Sequence, residues 1–163
     1  MKAKILLQLI SLMVASSFLA AGPSSAADQQ DSLRSPSSDG AAVSFSNLSS
    51  GDVVPPVFIV KFSITGMGIA PAGTNIENTG HHHLLIDVEE LPDLSQPLPA
   101  TDNIRHFGKG QGETELQLPE GEHSLQLVLA DYVHVPHDPP VVSDVIVITV
   151  SRNAPVQAEQ EDG

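Results

Sequence analysis

Seven histidines stand in a chain of 163 residues that has one tyrosine, no tryptophan and no cysteine. All seven fall between residues 81 and 137: His81, His82, His83, His106, His123, His134 and His137. Neutral imidazole is the commonest protein ligand for copper and zinc. The runs His81-His82-His83 and His134-Val135-Pro136-His137 therefore mark a candidate metal site. The residues expected to hold the ion are His81, His83, His134 and His137, with His106 next, and the expected ion is copper, otherwise zinc. Asp131, Asp138 and Met67 are candidates for an added oxygen or thioether donor. His82 runs in register with Leu84, Ile86 and Val88, and His123 with Leu125 and Leu127. Those two read as structural histidines, hydrogen-bonded inside the fold.

No catalytic motif accompanies the histidines. The nucleophile elbow G-x-S-x-G is absent. Gly108-Lys109-Gly110-Gln111-Gly112 lacks the Lys-Ser/Thr ending and following helix of a phosphate-binding loop, and reads as a flexible turn. The absence of cysteine excludes disulfides, thiolate metal sites and cysteine nucleophiles. Twenty acidic against seven basic residues give a formal charge of −13, which disfavours nucleic acid and anionic lipid as partners. The reading is of a binding protein, not an enzyme. The alternative is a structural or protein-interaction module of the cell envelope whose histidines merely close hydrogen bonds.

The elements that must position these side chains are strands. Phe58, Val60, Phe62 and Ile64 alternate with less apolar neighbours, as do Leu84, Ile86 and Val88, and Leu125, Leu127 and Leu129. Val145 to Val150 is an apolar run broken only by Thr149, expected to be a strand covered on both faces or largely buried. Ala42–Ser46 and Glu113–Leu118 are weaker candidates. Gly/Pro turns separate them, and no long amphipathic helix fits between. The expected fold is all-β: a single antiparallel β-sandwich of immunoglobulin-like or fibronectin-like type. If the strand that starts at the histidine run lies antiparallel beside the strand that ends near His134, both histidine groups share one rim. The proline-interrupted segment from Leu91 to Gly112 is expected to cross between sheets or wrap one end.

The flanks read differently. Lys2 and Lys4, the apolar stretch Ile5 to Ala21, and the small residues ending at Ala26 have the form of a cleaved signal peptide over residues 1–26. This predicts a bacterial periplasmic or secreted protein with no membrane span once mature. Residues 27–40 read as a disordered linker, 41–152 as the β-sandwich domain, and 153–163 as a disordered acidic tail.

Four segments carry a resemblance. They are F-x-I-x-G-M-G-I-A-P-A-G at 62–73, G-H-H-H-L-L-I-D at 80–87, H-F-G-x-G at 106–110, and G-E-H-S-L-Q-L-V-L-A-D-Y-V-H-V-P-H-D-P-P-V-V-S at 121–143. Together the chain resembles a family of small exported bacterial proteins described as domain of unknown function four-three-nine-nine, members of which are sometimes labelled rod-shape-determining proteins. The resemblance spans roughly residues 55–150 and places all seven histidines in motif segments. It implies no catalytic role.

Overall fold

The computed structural model describes residues 34–154. Nine strands run through them: β1 (Ala42–Phe45), β2 (Val53–Val54), β3 (Val57–Thr65), β4 (Gly68–Ile69), β5 (Thr79–Ile86), β6 (Ile104–His106), β7 (Glu113–Gln117), β8 (Gly121–Ala130) and β9 (Ile146–Val150). No helix occurs among the described residues. The strands form two layers, a sheet of order β1-β3-β7 and a larger one of order β2-β9-β8-β5-β4, with β6 also on β5. The long pairings are antiparallel; only the two-residue pairings β2–β9 and β4–β5 are parallel. The protein is an all-β sandwich, as the strand periodicity predicts.

The main core lies between the layers. Phe58, Val60 and Phe62 of β3 face Leu84 and Ile86 of β5, Leu125, Leu127 and Leu129 of β8, and Ile148 of β9. Period-two alternation aims these residues inward. Burying each large side chain contributes roughly 1.5–3 kcal/mol.

Strand β5 departs from simple alternation. Every residue from Gly80 to Ile86 is buried. Its outer face is covered because the segment from Leu91 to Gly112, which crosses as expected from β5 in the large sheet to β7 in the small one, does not cross directly. It folds back over the large sheet, bringing Leu98 and Ile104 against Leu85, Val128 and Ala130 in a second apolar cluster. The cover stops short of β9, so that strand is not buried on both faces as its apolar run suggests. Ile148 and Val150 point inward, whereas Val147 is 41% exposed.

Residues 34–38 belong to the stretch expected as a flexible linker, yet they are held against the loop that follows β8. Ser37 N–H donates to the Asp138 carbonyl and Asp138 N–H to the Ser35 carbonyl, each at 3.0 Å. Arg34 donates to the carbonyls of Pro136 and His137 and pairs with the Asp138 carboxylate. Composition predicted disorder because Ser and Pro bury little apolar surface; here backbone and side-chain hydrogen bonds supply the order instead. The expected signal peptide and almost all of the acidic tail lie outside the described residues.

Candidate metal centre

Strand β5 supplies the floor of the site. His81 and His83, two residues apart, project from the same face of the sheet. They pair across to Ala130 and Val128 of β8. The antiparallel neighbourhood expected from the sequence is therefore present, and it sets the start of β5 beside the end of β8. On the other edge, His106 of β6 stands directly opposite His83. His134 comes from the turn just past Ala130.

That turn is fixed by Asp131. One carboxylate oxygen accepts the N–H groups of Val133 and Val135, each at 3.0 Å, and the other accepts the Ser35 hydroxyl at 2.7 Å. The His134 N–H donates to the Asp131 carbonyl, and its own carbonyl accepts from Leu98. These bonds hold His134 at φ 71°, a left-handed conformation uncommon for a residue with a side chain. Such strain persists only where its surroundings over-determine it, and it is concentrated at functional sites.

The four rings converge. Centroid separations are 4.8 Å for His81–His83, 4.9 Å for His81–His106, 5.0 Å for His81–His134, 5.2 Å for His83–His106, 5.9 Å for His83–His134 and 4.7 Å for His106–His134. One nitrogen from each of His81, His83 and His106 lies within 4.8 Å of the others; His134 is outside that group and meets it through His106. The Nε2 atoms of His106 and His134 are 3.1 Å apart. His81 and His83 form a buried base, while His106 is exposed and His134 half-buried at the mouth.

Both ring nitrogens of His81 and Nδ1 of His83 are buried without a hydrogen-bond partner, as are Nδ1 of His82 and Nε2 of His137 outside the cluster. A buried polar atom left unpaired costs about 1–3 kcal/mol, so a cluster of them calls for an explanation. His81, His83 and His106 are also biased toward the neutral form. Burial, reinforced by His106 and His134, lowers the His81 pKa from 6.5 to about 4, although Asp131 opposes the shift. Burial, with His81, His106 and His134 adding to it, lowers that of His83 to about 3. His106 is lowered too, by burial and then by His134. Neutral imidazoles offer lone pairs, which is the form a metal ion requires.

His137, expected beside His134, stands apart. Its Nε2 would be only 2.9 Å from a Cβ placed on Gly80. Gly80 and His81 face opposite sides of β5, so His137 is on the reverse of the sheet from the cluster. Pro136 separates it from His134 and pairs with Ala130, so the chain has turned back along β8 before His137 is reached. Of the added donors, Met67 packs against the main core, Asp138 pairs with Arg34, and both oxygens of Asp131 serve the loop. His82 packs on Phe62 with ring centroids 5.0 Å apart, but its Nδ1 is buried without the hydrogen bond expected of it. His123 bonds Asp87 at 2.7 Å and the Pro119 carbonyl at 3.0 Å, as expected of a structural histidine.

One contributor escapes a search for donor atoms. A Cβ at Gly108 would overlap the His106 ring, so glycine there leaves the room into which that imidazole folds. The H-F-G order held the signal, but a glycine two residues from a histidine suggests a turn more readily than a space for a ring.

The chain is thus a small two-sheet β domain with four imidazoles gathered on the outer face of its larger sheet. Residues 60–151 match the family described as domain of unknown function DUF4399, and the chain belongs to that family. No curated protein and no solved structure matches it.

Proposed function

We propose that this protein is an exported bacterial binding module, not an enzyme, that holds a transition metal ion, copper or zinc, through His81, His83, His106 and His134. The observation that carries the reading is the set of unpartnered nitrogens on His81 and His83, buried at 0% and 2% exposure and facing two more imidazoles. Coordination would give those nitrogens the partner they lack. The signal-like residues 1–26 support a periplasmic or secreted location, where storage, delivery or sensing of such an ion is useful. Among the described residues no helix is long and apolar enough to cross a membrane.

The test is calorimetric titration of the purified protein with Cu(II), Cu(I) and Zn(II), beside His81→Ala/His83→Ala, His106→Ala/His134→Ala and His137→Ala variants. The expected result is one ion per chain, lost in both double variants and kept in His137→Ala. The His106/His134 pair is at the mouth, so its variant tests the site with little demand on the fold. No binding by folded wild type, or full binding in that mouth variant, overturns the reading.

A second reading, a protein-interaction module of the envelope, draws on the outer face of β9. Val145 and Val147 are exposed there, with Val53 of the neighbouring strand. A pull-down in which Val145→Lys/Val147→Lys abolishes capture of an envelope protein, with metal binding unchanged, would favour it.

A further inference from the structure

From the arrangement of the four rings we infer that the site is shaped for a closed-shell d10 ion held tetrahedrally, Zn(II) or Cu(I), and narrows the advantage that Cu(II) ordinarily holds. The inference rests on the metal reading above and adds the class of ion. With a metal–nitrogen bond of about 2.0–2.1 Å, and the ring centre about 1.1 Å further out, each centroid lies about 3.2 Å from the ion. Four such centroids at the corners of a tetrahedron are all about 5.2 Å apart, by geometry from the same bond length. At the corners of a square, four pairs would be about 4.5 Å apart and the two diagonals about 6.4 Å.

The observed separations run from 4.7 to 5.9 Å. The decisive pair is His81–His106. If the longest separation, His83–His134, were one diagonal of a square, His81–His106 would have to be the other. It measures 4.9 Å, far too short. No assignment of the four rings to a square satisfies both pairs.

The scaffold resists flattening. His81 and His83 are fixed two residues apart on a central strand, His106 is in register with His83, and the His134 backbone is bonded through both its N–H and its carbonyl. Cu(II) and Ni(II) favour tetragonal nitrogen sites, whereas zinc accepts a tetrahedron at no electronic cost. In an unconstrained set of imidazoles Cu(II) would outbind Zn(II). Here the protein would have to deform to gain that advantage. The donors are all imidazoles and Met67 is on the other face of the sheet, so selection rests on geometry, not on a soft ligand.

Three measurements on the full protein test this together: Cu(II)/Zn(II) competition, Cu(II) paramagnetic resonance, and the visible spectrum of the Co(II) form. We expect Co(II) to give the intense bands of four-coordinate geometry, and Cu(II) to hold no more than about a tenfold advantage over Zn(II), with a resonance spectrum distorted from tetragonal. In His134→Ala the Co(II) bands should weaken and the Cu(II) advantage widen at least tenfold. Tetragonal Cu(II) bound in wild type with an advantage of several orders of magnitude overturns the geometric inference and leaves the metal site standing. An unchanged preference in His134→Ala also overturns it. Failure of every ion to bind overturns both.

Discussion

Acidification should unfold the metal-free protein well before its carboxylates protonate, and the size of the effect follows from three histidines. His81 and His82 titrate at about 4 and His83 at about 3 when folded, chiefly because burial penalises their charged forms. In the unfolded chain the same groups titrate near 6.5. Between these values the unfolded state binds the extra protons, so stability is full above pH 6.5 and falls as the pH drops toward 4. A lag of one pKa unit costs about 1.4 kcal/mol, so at pH 5 each of the three histidines costs about 2 kcal/mol relative to pH 8. Together they remove about 6 kcal/mol, comparable with the whole stability of an ordinary domain. The assay is urea unfolding of metal-free protein at pH 8, 6.5, 5.8 and 5, followed by far-ultraviolet circular dichroism. The expected midpoint is level down to about pH 7 and then falls steeply, while a His81→Asn/His83→Asn variant loses about 4 kcal/mol less over the same range. Equal stability at pH 8 and pH 5 would refute the reasoning, and so would an unchanged slope in the variant.

Other perturbations separate the parts of the molecule. Gly108→Ala should displace the His106 ring, weakening metal binding at least about tenfold in calorimetry while leaving the thermal midpoint within a few degrees, since His106 is exposed. Ser35→Ala removes the hydroxyl bonded to Asp131; a loss of about 1 kcal/mol in urea unfolding and faster metal release to a chelator are expected. Leu127→Ala, at a fully buried site in the main core, should cost about 2–5 kcal/mol by the same unfolding assay. His123→Ala breaks the bond to Asp87 and should lower stability by about 1–2 kcal/mol with no change in metal affinity.

The strands were legible where one face is buried and the other wet. Phe58, Val60 and Phe62 announce β3 because their alternation is the alternation of core and solvent. The rule misled at β9, where Val145 to Val150 read as doubly covered. What covers a sheet is a segment distant in sequence, and Leu98 and Ile104 reach only as far as β8. The two-residue strands β2 and β4 left no periodic trace at all. For the site, His81 and His83 were legible from strand geometry, and His134 from the neighbour it was expected to have. His137 was not, since it lies seven residues past the end of β8, where the chain has already turned back along that strand. The role of Asp131 was hidden for a related reason. A carboxylate beside histidines suggests a ligand, yet its oxygens are consumed by backbone N–H groups and by a serine about a hundred residues earlier.

The attachment of residues 34–38 to the loop after β8 also sets the polarity of the whole domain. Strand β8 runs from Gly121, paired with Val150 near the last described residues, to Ala130 beside the histidines. Ten residues of extended chain measure roughly 33 Å, so the two ends of the domain are set about that far apart. A group joined directly to Arg34 would therefore be carried next to the loop that bears His134, and one joined directly to Ala154 to the far end. A purification tag of consecutive histidines joined directly to Arg34 would become a rival chelator beside the natural one, whereas the same tag joined directly to Ala154 would be remote from it.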